Sequence, residues 1–342
     1  MSTATGDPAA DLHLIDATLA NLRLARTGEP QSLESGRNHN YRVPTGEGSV
    51  CVRIHRHTRG RERIELGLAA LHHARRNGIP VAEPLAAADG GVLFTVAGRL
   101  TSVYQWVDVP SHERFDVTRD GAAQIAAMHG RLHGALADFQ HPEIAPATEL
   151  SWDFARSLRE LEVVAAVVRE SGGRGFPPAD ILHDIAVQAA HIESGRLPGP
   201  ATFDWLPRQA IHGDVHEGNL LLAADGTVAA VIDWDMVATA PRLYELLRAL
   251  DFTRALDDTA SLDAYLAAYS ATAPYSAAEA AAAVELWAAS TICNTWSMRA
   301  LFLEGDHRVE PFIPAHRERI RQFADSAYRA WLASRLAAFA GE

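Results

Sequence analysis

The chain has 342 residues, 48% hydrophobic and 22% charged, the balance of a globular protein long enough for two lobes and not of a disordered tail. Its formal net charge of −12 at pH 7 argues against nucleic acid and against an anionic membrane surface as partners, because both attract basic surfaces. All 31 basic residues are arginine, so any task usually given to lysine falls to arginine or to nothing. Two distant cysteines, Cys51 and Cys293, form neither a metal pattern nor a disulfide framework. The first residues lack the basic start and apolar stretch of a signal peptide, and no apolar run approaches the ~20 residues that span a bilayer. A cytoplasmic protein is expected.

In chain order, residues 37–43 read as a strand and Pro44-Thr45-Gly46-Glu47-Gly48 as a turn. Residues 49–55 read as a second strand, with Val50, Val52 and Ile54 on one face and Cys51, Arg53 and His55 on the other. A helix is predicted over 61–77, where Ile64, Leu68 and Leu71 have helical spacing and Gly78 and Pro80 supply the stop. Asp89-Gly90-Gly91 marks a turn, followed by strands over 92–96 and 100–107. Strands with one inserted helix imply a small antiparallel-rich lobe.

From Ser111 the chain reads as mostly helical and rich in alanine. Ile125, Met128, Leu132 and Leu136 share one helix face, and further helices are predicted near 154–169, 180–192, 262–270, 277–303 and 317–339. The glycine-rich stretch 171–175 is the expected flexible loop. One hairpin interrupts the helices, with strands at 220–222 and 228–232 around an Asp225-Gly226 turn.

The chemistry concentrates around that hairpin. The run His212-Gly213-Asp214-Val215-His216-Glu217-Gly218-Asn219 leads into it, and Ile232-Asp233-Trp234-Asp235 leads out. Asn219 at the entrance and Asp233 at the exit therefore come together, with Asp214 on the incoming loop. Two hard oxygen donors at a hairpin mouth suit Mg²⁺, and a third carboxylate free of metal can accept a proton from a substrate hydroxyl. This is an arrangement for phosphoryl transfer. The order His-x-Asp, four residues, Asn, then Asp is the spacing of a protein-kinase catalytic loop, with Gly213 in place of arginine and Trp234-Asp235 in place of Phe-Gly. His212 reads as a holder of the loop, and His216 is given no role. A rival reading starts from His129 and His133, an i, i+4 pair able to bind zinc. Joined to His212, Asp214 and His216, they would form a metallohydrolase centre. That reading leaves Asn219 and Asp233 unexplained.

With these motifs in order, followed by Pro241-Arg242-Leu243-Tyr244-Glu245-Leu246, the chain resembles the aminoglycoside phosphotransferase superfamily of kinase-like enzymes over residues 38–296. That group includes aminoglycoside kinases, choline kinases, type II homoserine kinases and a bacterial stress-response Ser/Thr kinase branch. The resemblance implies an α+β, bilobal protein-kinase-like fold. A small antiparallel-sheet lobe with one helix, residues 1–105, would bind nucleotide, and a larger, mainly helical lobe, residues 106–342, would carry catalysis and the acceptor. It implies ATP and Mg²⁺ as cofactors, Asp214 as catalytic base, and Asn219 and Asp233 as metal ligands. Arg53 would hold the α- and β-phosphates with Glu65 as its helix partner, and the backbone of Gln105 to Val107 would form the hinge that pairs with adenine. Residues 37–41 would cover the phosphates.

Only about eight residues separate Asp233 from Pro241, which leaves no long segment for docking a peptide. The expected acceptor is therefore a hydroxyl of a small molecule: an aminoglycoside-like antibiotic, an amino alcohol or a homoserine-like metabolite. Glu217, Asp235 and Glu304 could attract a cationic acceptor. A Ser/Thr protein kinase and a nucleotide-binding pseudokinase are the alternatives, and the oligomeric state stays open. Asp235 reads equally as metal neighbour, substrate contact or solvated group. Trp287, Trp296 and Arg299 read as acceptor pocket or core.

Overall fold

Side-chain alternation along the N-terminal strands builds the first sheet. A computed structural model of the chain describes residues 8–33, 38–56, 58–110 and 119–341. Strands β1 (Gln31–Leu33), β2 (His39–Thr45), β3 (Gly48–Ile54), β4 (Phe94–Val96) and β5 (Arg99–Gln105) form one antiparallel sheet in the order β1-β2-β3-β5-β4. The β2–β3 hairpin turns between Thr45 and Gly48, and Gly48 has φ 112°, a conformation that glycine adopts without steric cost. Val50, Val52 and Ile54 are buried with Val43, Phe94, Val96 and Val103. Period-two alternation then puts Cys51, Arg53 and His55 on the opposite face, which lines a cavity.

The buried face of the sheet is covered by α1 (Pro8–Asn21), an element that the sequence reading does not mark. Leu14, Ile15 and Leu19 of α1 join the same core. Thr18 explains why the helix is hard to see. It is fully buried, but polar, and its hydroxyl donates to the Leu14 carbonyl at 2.6 Å and meets the Thr101 hydroxyl of β5 at 2.9 Å. The apolar stripe is broken where a hydrogen bond takes its place.

Helix α2 (Arg61–Arg76) runs nearly as predicted and gives way to Gly78 at φ 80°. It packs elsewhere than α1. Leu66, Ala70, Leu71 and Ala74 enter the larger core with α3 (Arg119–Leu136). At Gly67 the helix lies directly on the Trp234 backbone: a Cβ there would sit 2.8 Å from the Trp234 carbonyl oxygen.

Beyond α3, helices α4 (Phe154–Ser171) and α5 (Pro178–Glu193) flank the predicted glycine-rich loop. Strands β6 (Arg208–Ile211), β7 (Leu220–Leu222), β8 (Val228–Val231) and β9 (Ala238–Pro241) follow. The β7–β8 hairpin is the predicted one, with Leu220 opposite Val231. The β6–β9 pair was not expected, since four residues are too few to show a period. Helices α6 (Arg242–Phe252), α7 (Thr259–Ser270), α8 (Ala277–Cys293), α9 (Trp296–Phe302), α10 (Ile313–Ala324) and α11 (Ser326–Ala337) complete the chain. The two long helices predicted over 277–303 and 317–339 are each split. The Asn294 side chain accepts the Trp296 N–H at 2.8 Å, and Asp325 accepts the Ala327 N–H at 2.8 Å. In both breaks a short polar side chain takes over a backbone donor and starts a new helix. Among the described residues no helix is long and apolar enough to cross a membrane.

If α1 is an integral layer of the sheet core, Leu19→Ala should lower the unfolding free energy by about 2–5 kcal/mol. Urea denaturation measures this. A loss below about 0.5 kcal/mol would show that α1 is only a surface attachment.

Candidate active site

The loop from His212 to Asn219 is held by backbone contacts before any ligand is considered. Gly213 has φ 86°, and a Cβ there would lie 2.2 Å from the Met236 carbonyl oxygen, so glycine alone fits. The His212 Nε2–H donates to the Ile232 carbonyl at 3.0 Å, while its Nδ1 accepts the Asp214 N–H at 3.3 Å. Its ring stands edge-on to Trp234 at 5.0 Å. Both ring nitrogens are thus committed to backbone, as a loop holder requires.

The Gly213 N–H donates to Oε1 of Glu245, a fully buried residue in the first turn of α6. Oε2 of Glu245 pairs with His133 Nε2 at 2.8 Å, and His129 Nε2 lies 3.2 Å from His133 Nε2. The far nitrogens of His129 and His133 meet the hydroxyls of Tyr265 at 3.1 Å and Tyr269 at 2.7 Å. Burial pushes the Glu245 carboxyl up, and the two histidines more than offset this, holding it well below its ordinary range. Among the described residues, His129, His133 and Glu245 are the set of three that could share a metal ion. His212, Asp214 and His216 are not part of that set. The metallohydrolase centre is therefore not assembled: α6 inserts Glu245 between the histidine pair and the loop.

Asp214 has a donor at each carboxylate oxygen. Asn219 Nδ2 donates to its Oδ2 at 3.1 Å and to its backbone carbonyl at 2.8 Å. His216 Nε2 lies 3.5 Å from the same Oδ2, and Arg248 of α6 reaches Oδ1 at 3.4 Å. Burial pushes this carboxyl up; His216, Arg248 and His212 together bring it well below the usual carboxylate range. Asp214 is an anion at neutral pH. Asp233 leaves the hairpin in the left-handed region, φ 60° and ψ 65°, and its Oδ1 lies 3.3 Å from Arg53. The Ile232 N–H donates to the Asn219 carbonyl at 2.9 Å, which locks entrance to exit. Asp214, Asn219 and Asp233 all line the cavity that Arg53 faces. The donor set is an amide and carboxylates, all hard oxygen, and fits a divalent cation of the Mg²⁺ type.

Other expected residues are placed differently. Glu65 does not partner Arg53. It is half exposed and pairs with Arg61 one turn earlier at 3.2 Å, because its position on α2 faces away from the cavity that Ile64, Gly67 and Leu68 line. Gln105 and Val107 line the cavity, but the Gln105 N–H is already donated to the Glu83 carbonyl at 2.8 Å. Arg37, at the start of the expected phosphate cover, lies outside the described residues. Asp235 and Glu304, two of the acids expected to draw a cation, already face arginines: Asp235 meets Arg59 at 3.4 Å and Glu304 meets Arg299 at 2.6 Å. Trp287, Trp296 and Arg299 line the same cavity as Asp214. The sequence reading gave no role to Glu245 or Arg248. The signal was present: Glu245 and Arg248 interrupt the apolar run of α6, and a charge that such a run draws into the core, as it does Glu245, demands a partner.

A small antiparallel sheet above a mainly helical body, with an Asp-Asn-Asp oxygen set in the cleft, defines a kinase-like fold. Residues 30–282 match the model of the phosphotransferase enzyme family, and the chain belongs to that family. A homoserine kinase of Afipia carboxidovorans is 26% identical over 204 residues, which cover 59% of this chain and 56% of that protein. The matched region is thus little more than half the length of that relative. Among solved structures, an amicoumacin kinase in complex with AMP-PNP and Ca²⁺ superposes with a TM-score of 0.66 at 16% identity, over 91% of this chain and 93% of that one. An aminoglycoside phosphotransferase from Alicyclobacillus acidocaldarius gives 0.64 at 16% identity, over 97% and 98%. At such identities the likeness is one of fold.

Burial, with His133 beside it, brings the His129 pKa down to about 4 against the pull of Glu245. An unfolded histidine titrates near ~6.5, so the unfolded chain binds more protons between these values and stability falls as pH drops from about 6.5 to about 4. Urea unfolding across this window should show the decline, and His129→Gln should make it shallower. An unchanged slope would mean that His129 is not held neutral.

Proposed function

We propose that the protein is an ATP- and Mg²⁺-dependent phosphotransferase that moves a γ-phosphoryl group to a hydroxyl of a small molecule. The observation that carries this reading is the oxygen set of Asp214, Asn219 and Asp233 around one cleft, with the largely covered guanidinium of Arg53 facing it. Residues 1–105 would form the nucleotide-binding lobe and 106–342 the lobe for catalysis and acceptor. Asn219 and Asp233 would hold Mg²⁺, which neutralises phosphate charge when bound. Arg53 would take the α- and β-phosphates, and the backbone of the hinge from Gln105 to Val107 would take adenine.

Asp214 does the chemistry on the acceptor. Its carboxylate accepts the hydrogen bond of the acceptor hydroxyl and so aims the oxygen. It takes the proton as the new O–P bond forms and the bond to the departing diphosphate breaks. Arg248 and Asn219 keep the carboxylate charged and oriented until then.

Between Asp233 and α6 the chain has room only for one short 3₁₀ turn and β9. A peptide-docking segment does not fit there, which supports a small acceptor over a protein. An amino alcohol, a homoserine-like amino acid or an aminoglycoside-like antibiotic is consistent with the cleft. A screen of ADP release over amino alcohols, hydroxy amino acids, sugars and aminoglycosides, with a protein acceptor for comparison, tests this. Silence across the small molecules with phosphorylation of the protein would overturn it. Asp214→Asn should lower kcat by roughly 10²–10⁴ while nucleotide still binds. Retention of the normal rate would remove Asp214 from the reaction. Asp233→Ala should abolish Mg²⁺-dependent nucleotide binding in calorimetry; unchanged binding would take Asp233 out of the metal site.

A further inference from the structure

We propose that Asp235 is the positioning residue for Arg53, taking the place that a carboxylate on helix α2 was expected to fill. This rests on the nucleotide-binding reading above.

Arg53 needs an anion. Its side chain is only 11% exposed, and a buried guanidinium without a partner is strongly destabilising. Helix α2 cannot supply the partner. Glu65 points to Arg61, and the inner face carries Ile64, Gly67, Leu68 and Leu71. No acid can stand at Gly67, because even a Cβ would press on the Trp234 carbonyl at 2.8 Å. The close approach that excludes a helix acid also brings the Trp234–Asp235 segment up to Arg53. There the guanidinium finds two acids: Asp233 at 3.3 Å and Asp235 at 3.7 Å. Asp233 is the one assigned to metal. Once that carboxylate turns to a cation, Asp235 is the anion left beside Arg53.

Asp235 is built to stay. Its Oδ2 accepts from Asn38 Nδ2 at 2.7 Å and lies 3.4 Å from Arg59, and its backbone carbonyl accepts from Arg59 at 2.7 Å and Arg63 at 3.0 Å. Arg59 precedes α2 and Arg63 lies in its first turn, so the same contacts tie the helix to the segment below. Arg53 is steadied on its other side, where its Nε donates to Asn40 Oδ1 at 2.9 Å. With both carboxylate oxygens and the carbonyl of Asp235 facing these donors, a role as direct metal ligand or acceptor contact would require giving up an arginine. The geometry favours the ion pair.

The test is calorimetric binding of Mg²⁺–AMP-PNP to the full chain in a double-mutant cycle. Asp235→Asn should weaken binding about tenfold or more, and Arg53→Ala should weaken it at least as much. Added to Arg53→Ala, Asp235→Asn should cost less than about twofold further, because its partner is gone. Asn38→Ala, a milder change, should weaken binding a few-fold in the parent and not in Arg53→Ala. Glu65→Ala should leave affinity unchanged. In turnover, Asp235→Asn should raise the KM for ATP more than it lowers kcat. Unchanged affinity in Asp235→Asn and Asn38→Ala, or losses that simply add to that of Arg53→Ala, would overturn the proposal, and so would a variant that only lowers Tm. If the parent chain binds no Mg²⁺–AMP-PNP, the nucleotide reading itself fails, a result distinct from a parent that binds and a cycle without coupling.

Discussion

One buried carboxylate sets the geometry of the cleft. Glu245 accepts the Gly213 N–H through one oxygen and faces His133 through the other. An ionised group with no exposure is tolerable only when paired and hydrogen-bonded, and here the histidines of α3 and the Gly213 N–H of the loop supply the donors. The arrangement works in both directions. The donors keep Glu245 anionic, and the anion keeps the loop backbone where Asp214 and Asn219 must stand. Gly213 makes this possible, since any side chain at that position would collide with the Met236 carbonyl.

The absence of lysine shapes the rest of the cleft. A guanidinium is a flat fork that meets several acceptors at once, whereas an ammonium is a point charge. Arg53 uses this to bond Asn40 while lying between Asp233 and Asp235. Arg248 uses it to approach Asp214 at 3.4 Å and Glu149 at 4.0 Å, with its plane over Phe252 at 4.7 Å. The acids of the cleft are thus mostly spoken for by arginines, and the net charge of the chain says little about what the pocket presents to an acceptor.

Much of this organisation was legible in advance. The alternation of Val50, Val52 and Ile54 against Arg53 put the arginine on the cleft face, and the hairpin between Asn219 and Asp233 followed from an Asp-Gly turn between two apolar runs. The holding role of His212 was also readable. Other features were not. Helix α1 hides its stripe behind the buried Thr18, and β6 and β9 are too short to show a period. Asn294 and Asp325 break helices that composition alone would run through.

The order of residues along one local segment dictates turns, strand faces and the side chains a short hairpin brings together, because these depend on near neighbours and on backbone period. That was enough to place Asp214, Asn219 and Asp233 in one cleft. Which charge answers which is a different matter, since partners such as Arg53 and Asp235, or His133 and Glu245, lie far apart in the chain and meet only through packing. Glu65 shows the limit: it has the right chemistry and stands on the right helix, yet it pairs with Arg61 on the outer face, while the acids that meet Arg53 are Asp233 and Asp235 from a distant segment.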